Sequence, residues 1–119
     1  MNEWNLLVVE DDIDGQEVVG RLLKYRRIAH ETTGNAEDAL HLLDDRTGVI
    51  IDLNLPGMDG WTLLKEIKSN PQTADLPCVA ITAYHSAELA MKAIESGFVA
   101  YFPKPLDTTS FVRELERVL

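Results

Sequence analysis

The sequence predicts an α/β protein, a parallel sheet of five strands with helices on both faces. Three observations carry the prediction. Short apolar runs recur at Leu6–Val9, Val49–Ile51 and Cys78–Ile81, the pattern of strands buried on both faces. Segments of helical period lie between them, so strand and helix alternate five times, the order that the crossovers of a parallel sheet require. Turn and capping residues stand at the joints, among them Gly34, Pro56-Gly57, Gly97 and Pro103-Lys104-Pro105.

Leu6 to Val9 reads as the first strand, opening into the acidic loop Glu10-Asp11-Asp12. Asp14 to Arg26 reads as a helix, with Val18, Val19, Leu22 and Leu23 at helical spacing and Glu17, Arg21 and Lys24 on other faces. Ile28 to Thr33 is a weaker second strand ending at Gly34. Asn35 is placed to cap the second helix, with Asp38 in its first turn. Ala36, Ala39, Leu40, Leu42 and Leu43 form that helix's apolar side. The third strand is Val49 to Asp52, closed by a Pro-Gly turn. Asp59 is the expected cap of a third helix from Gly60 to about Ser69, with Trp61, Leu63, Leu64 and Ile67 inward. Asn70 to Pro77 is a loop, and Cys78 to Thr82 a fourth strand ending in a hydroxyl. Ser86 caps a fourth helix carrying Leu89, Ala90, Ala93 and Ile94, which Gly97 closes. Val99 to Phe102 is the fifth strand. Asp107 is expected to cap a last helix with Phe111, Leu115 and Val118 on one face.

Composition narrows the function classes. The 119 residues suit one domain, 1–119. An apolar fraction of 45% supports a real core, and a formal charge of −9 argues against nucleic-acid binding through the general surface. No apolar run approaches the roughly 18 residues of a membrane span. The start, Met1-Asn2-Glu3-Trp4, lacks the basic region and apolar stretch of a signal peptide, so a cytoplasmic location is the expectation. Cys78, before Val79-Ala80-Ile81, reads as a small core residue. His30, His41 and His85 show no ligand spacing, which makes a zinc site improbable. His85 follows Thr82 closely, and a solvated loop histidine is the preferred reading.

In a doubly wound sheet the carboxyl ends of the strands share one edge, where ligands gather. Here the first strand ends in Glu10-Asp11, the third in Asp52, the fourth in Thr82 and the fifth in Tyr101 to Lys104. Taken singly each has a plainer reading: a turn-forming or surface acid, a core threonine, a surface lysine. Together they describe a crevice. Three carboxylates at close range repel one another unless a proton or cation lies among them. All-oxygen ligation favours Mg²⁺, which binds through one or two carboxylates plus a phosphate. The Lys104 ammonium and the Thr82 hydroxyl suit a phosphoryl group held on a carboxylate nucleophile.

With these residues in place, the chain resembles the receiver domain of two-component response regulators. The matching stretches are Leu7-Val8-Val9-Glu10-Asp11-Asp12, Asp52 to Gly60, Ile81-Thr82-Ala83 and Tyr101-Phe102-Pro103-Lys104-Pro105. The spacings from Asp52 to Thr82 and from Thr82 to Lys104 follow the family's pattern, and the likeness spans essentially the whole chain. The resemblance implies a flavodoxin-like (βα)5 fold with strand order 2-1-3-4-5. It implies that Asp52 accepts a phosphoryl group from a histidine kinase or phosphotransfer protein. It assigns Asp11 as a direct Mg²⁺ ligand and Glu10 as one acting through water, with Asp52 and the backbone carbonyl of Asn54 completing the set. Lys104 would pair with the phosphoryl oxygens, and the Lys104-Pro105 bond is often cis in the family. Thr82 would turn to the phosphate and Tyr101 would move into the space it leaves. The fourth helix, fifth strand and fifth helix would form the face that a downstream protein partner reads. Such a domain signals and is not a turnover enzyme. It works as a monomer or as a phosphorylation-linked dimer, and stands alone or forms part of a larger protein.

Two positions depart from the pattern or vary within it. The turn Asp44 to Gly48 is about two residues short, at the edge opposite the site. Tyr84, two residues after Thr82, stands where it would shield the phosphoryl group from water. Asp12 is either a third acid of the site or the cap of the first helix. Two other functions compete with the leading one. A phosphorylation-independent pseudo-receiver would dispense with Glu10, Asp11, Asp52, Thr82 and Lys104, all of which are present. A haloacid-dehalogenase-type phosphatase usually carries an acid two residues after its nucleophile, where this chain has Asn54.

Overall fold

The structure, a computed structural model, describes residues 4–119. Its elements are β1 (Asn5–Val9), α1 (Ile13–Tyr25), β2 (Ala29–Thr33), α2 (Ala36–Ala39), β3 (Gly48–Asp52), α3 (Gly60–Ser69), β4 (Cys78–Thr82), α4 (Ala87–Ser96), β5 (Ala100–Pro103) and α5 (Phe111–Val118). The five strands form one parallel sheet in the order β2-β1-β3-β4-β5. This is the flavodoxin-like order that the resemblance implies.

Side chains alternate across a strand, so each central strand feeds two cores. Leu7, Val9, Val49, Ile51 and Ala80 point to the face covered by α2, α3 and α4. Leu6, Val8, Ile50, Val79 and Ile81 point to the face covered by α1 and α5. Cys78 is fully buried on the first of these faces, as a small apolar residue, and its thiol is pushed up to about 11 by burial. Trp61 of α3 lies edge-on to Phe98 at 5.9 Å, with the Lys92 ammonium 4.8 Å above its ring, so one aromatic side chain ties α3 to α4.

The caps follow the side chains available. Asp12 accepts from the Asp14 N–H, Asn35 from Asp38, Asp59 from Thr62 and Ser86 from Leu89. Gly97 closes α4 at φ +119, a left-handed conformation that favours glycine.

Four expectations are corrected. The second helix has only four residues, Ala36–Ala39. After it the His41 N–H bonds the Asp38 carbonyl and the Leu42 N–H the Ala39 carbonyl, tightening the chain into three-residue turns. Leu40, Leu42 and Leu43 still pack on the core from outside the helix. The Arg46 guanidinium holds this segment by bonding the Leu42 carbonyl, the Asn5 side chain and Glu31. Asp107 does not cap α5. Its Oδ1 accepts from the Thr109 N–H at 2.9 Å and from the Thr109 hydroxyl at 2.7 Å, which builds a separate turn before the helix begins at Phe111. On α4 only Ala93 is buried, and Ile94 faces solvent together with Met91 and the nearby Val99. Likewise Val18 of α1 is exposed, leaving Val19 and Leu23 as that helix's buried residues. Among the described residues no helix is long and apolar enough to cross a membrane.

Candidate functional site

Strand register assembles the site. Val9 pairs with Ile51, so Glu10, one step further, comes alongside Asp52 at the end of β3. Asp52 pairs with Ile81, and Thr82 follows at the end of β4. Thr82 pairs with Pro103, and Lys104 follows that. Glu10 continues the alternation of Leu6 and Val8, so its side chain turns toward α1.

Lys104 is the centre of the charge network. Its Nζ lies 2.5 Å from Glu10 Oε1 and 2.9 Å from Asp52 Oδ2. Glu10 is 0% exposed and Asp52 5%, while Asp11 stands at the solvent edge. Carboxylate oxygens of Glu10, Asp11 and Asp52 all lie within 4.8 Å of one another. One ammonium thus bonds two of three clustered carboxylates, and the surplus negative charge with hard oxygen donors fits a small divalent cation.

Protonation equilibria reflect the crowding. Burial, reinforced by the neighbouring Asp52, pushes the Glu10 carboxyl up to about 7, with Lys104 acting in the other direction. Burial also opposes ionisation of Asp52, yet Glu10, the Asn54 N–H and Lys104 together hold it below the usual carboxylate range. The buried setting of Lys104 disfavours its charge, but its bonds to Glu10 and Asp52 outweigh this and raise it. Asp52 is therefore the ionised carboxylate of the pair and Glu10 the one that takes up a proton first.

The second half of the site runs from Asp52 to β4. The Asn54 N–H donates to Asp52 Oδ1 at 2.9 Å and its side-chain amide to Thr82 Oγ1, also at 2.9 Å. The Tyr84 N–H donates to the same hydroxyl oxygen at 3.1 Å. Thr82 thereby accepts twice and keeps its proton to give. Gly60 lets the start of α3 close over β3, because a Cβ there would stand 2.5 Å from the Asp52 carbonyl oxygen. Tyr101 is half-buried, and its hydroxyl lies 3.2 Å from His85 Nδ1. The Lys104-Pro105 bond is cis.

The residues that sequence reasoning assembled at the strand ends, Glu10, Asp11, Asp52, Asn54, Thr82 and Lys104, lie together here. Asp12 caps α1 and also donates its N–H to Glu10 Oε2 at 3.3 Å. Three contacts were not anticipated. His85 pairs with Tyr101 and is not merely solvated. The Gln16 amide donates to the Glu10 carbonyl at 2.6 Å. Gly15 of α1 lies directly against the Glu10 carboxylate. Two of these had a sequence signal: a glycine inside a helical pattern usually has a packing or functional reason, and His85 lies in the loop just after Thr82, within reach of the site. Beside it an apolar crevice of about 310 Å³ opens between α1 and the segment Lys104 to Thr108, with Val18, Val19 and Leu106 in its walls.

The chain is similar to known proteins over nearly its full length. NtrC of Escherichia coli K12, a DNA-binding transcriptional regulator, is 33% identical over 114 residues, which are 94% of this chain and 24% of NtrC. An uncharacterized 14.6 kDa protein of Leptolyngbya boryana is 31% identical over 117 residues, which are 97% of this chain and 89% of that protein. The crystal structure of NtrX from Brucella abortus superposes with a TM-score of 0.86 at 33% identity, covering 97% of this chain and 26% of NtrX. The chemotaxis response regulator CheY4 of Vibrio cholerae shares the fold with a TM-score of 0.88 at 24% identity, over 98% of each chain. The chain spans about a quarter of the larger regulators. A model of the response regulator receiver domain matches residues 6–116. On this agreement of sequence, fold and strand-end chemistry, the chain belongs to the response regulator receiver family of two-component signalling.

Proposed function

We propose that the chain is a Mg²⁺-dependent phospho-acceptor that takes a phosphoryl group onto Asp52 from a histidine kinase or phosphotransfer protein. The observation that carries this reading is the Lys104 ammonium seated on both Glu10 and Asp52. It leaves Asp52 ionised, buried and oriented by the Asn54 N–H. A carboxylate oxygen of Asp52 attacks phosphorus, the new O–P bond forms as the P–N bond of phosphohistidine breaks, and the imidazole nitrogen leaves with the electron pair. Lys104 follows the charge onto the phosphoryl oxygens. Thr82, with its proton free, donates to one of them. Glu10, Asp11, Asp52 and the Asn54 carbonyl would hold Mg²⁺, which supplies charge neutralisation on the transferring group.

The added charge, roughly −1.5 to −2, draws Thr82 from its bonds with Asn54 and Tyr84. Tyr101 then leaves His85 for the space beside Thr82, and a partner reads the change on the α4-β5-α5 face. The exposed apolar Met91, Ile94 and Val99 support a protein partner on that face. The domain is a switch, not a turnover enzyme. The Asn54 amide, spent on Thr82, offers no acid for phosphatase chemistry.

Labelling with acetyl phosphate in Mg²⁺, followed by intact mass, tests the reading. One added phosphoryl group that is lost in Asp52→Asn and with EDTA is the expected result. If neither labelling nor binding of beryllofluoride is detected, the chain is a phosphorylation-independent pseudo-receiver.

A further inference from the structure

Gly15 is the third residue of α1, and its α-carbon faces the Glu10 carboxyl group. A Cβ built there would stand 2.5 Å from Glu10 Oε1, 2.7 Å from Cδ and 3.1 Å from Cγ. No side chain fits at position 15 while Glu10 keeps its bond to Lys104. The obstacle is the free end of a side chain and not the backbone, so an added methyl group would displace the carboxylate and leave the fold intact. Glycine inside a helix is otherwise unfavourable relative to alanine. Local stability therefore argues against Gly15, and the contact with Glu10 supplies its reason.

The geometry points to Gly15 as a positioning residue that sets the place of the Glu10 carboxylate, and hence of the metal, by leaving α1 without a side chain there. Glutamate is one methylene longer than aspartate. Its carboxylate reaches further under α1 before meeting the Lys104 ammonium on one oxygen and the Asp12 N–H on the other. In this chain the glutamate at position 10 fills the space that a side chain at position 15 would take. This inference rests on the Mg²⁺-dependent reading of the site.

The test is a two-by-two comparison of wild type, Gly15→Ala, Glu10→Asp and the double variant. Mg²⁺ affinity is measured by calorimetry and the urea midpoint is measured in EDTA. Gly15→Ala folds and binds Mg²⁺ about tenfold more weakly, the size of effect seen when a group that orients a metal ligand is lost. In the Glu10→Asp background the same change leaves affinity nearly unaltered, because the shorter carboxylate clears the new Cβ. In EDTA, alanine raises the urea midpoint more in the Glu10→Asp background than in the wild type. Equal effects of Gly15→Ala in both backgrounds, on affinity and on midpoint, would overturn the inference. Wild type that binds no Mg²⁺ would instead overturn the functional reading, and the midpoints in EDTA would still decide whether Gly15 places Glu10.

Discussion

Glu10 makes the stability of the metal-free protein fall as pH rises, and Glu10→Gln removes that fall. The sign follows from where the proton resides. Below the ordinary value of 4.5 the carboxyl is protonated in the folded and unfolded chains alike, and Glu10 contributes no pH dependence. Between 4.5 and about 7 the folded state keeps a proton that the unfolded state has released. Above about 7 the folded protein must ionise a carboxyl that has no exposed surface. At 1.36 kcal/mol per pH unit, the interval from 4.5 to about 7 amounts to about 3 kcal/mol lost across it. Asp52 does not confuse the measurement. It is held below the usual carboxylate range, so its contribution is constant above pH 5 and is lost only in stronger acid. The assay is urea unfolding in EDTA at pH 5, 6, 7 and 8. With a urea slope of roughly 1.5 kcal/mol per molar, the wild-type midpoint should drop by about 2 M relative to Glu10→Gln over this range. Midpoints that run parallel in the two proteins would refute the burial argument and place the Glu10 carboxylate in contact with solvent.

Three further outcomes follow from the geometry. Replacing EDTA with Mg²⁺ stabilises the protein more at pH 8 than at pH 5, since the cation needs the ionised carboxylates; at tenfold excess over Kd the gain is about 1.4 kcal/mol, and an equal gain at both pH values contradicts it. Gly60→Ala costs about 1–3 kcal/mol in urea unfolding, because the new Cβ would meet the Asp52 carbonyl oxygen at 2.5 Å and Leu53 Cα at 2.8 Å; a midpoint equal to wild type would contradict it. Tyr84→Ala speeds the loss of the phosphoryl group from Asp52 in Mg²⁺ buffer, measured by intact mass over time. Tyr84 is 70% exposed while its N–H is tied to Thr82, so an unchanged decay rate would mean that its ring does not screen the attacking water.

The three central strands were legible because they are buried on both faces and therefore apolar almost without interruption, whereas the edge strands β2 and β5 are partly exposed and read more weakly. Val49-Ile50-Ile51 and Cys78-Val79-Ala80-Ile81 have no other reading at that length. The site was legible for a related reason. A polar residue that ends such a run falls at the edge where the other strands end, and Glu10, Asp52 and Thr82 each do so. The second helix was overestimated because Leu40, Leu42 and Leu43 satisfy a helical pattern while reaching the core from turns. Asp107 misled because a side chain that suits a helix cap suits an Asx turn equally well, and Thr109 is the nearer partner. The pairing of Gly15 with Glu10 and of His85 with Tyr101 depends on which face of a helix or loop meets the strand end, and spacing along the chain does not encode that.

The edge-on packing of Trp61 against Phe98, beneath Lys92, has a practical consequence. The chain has two tryptophans, and Trp4 lies against the opposite face of the sheet. A Trp4→Phe variant would leave Trp61 as the single indole emitter, with a cation from α4 4.8 Å above its ring. Indole emission shifts with the charge and water around it. The protein thus carries its own optical gauge of where α4 sits, and the phosphorylation proposed for Asp52 is testable in real time in a cuvette without attaching a dye.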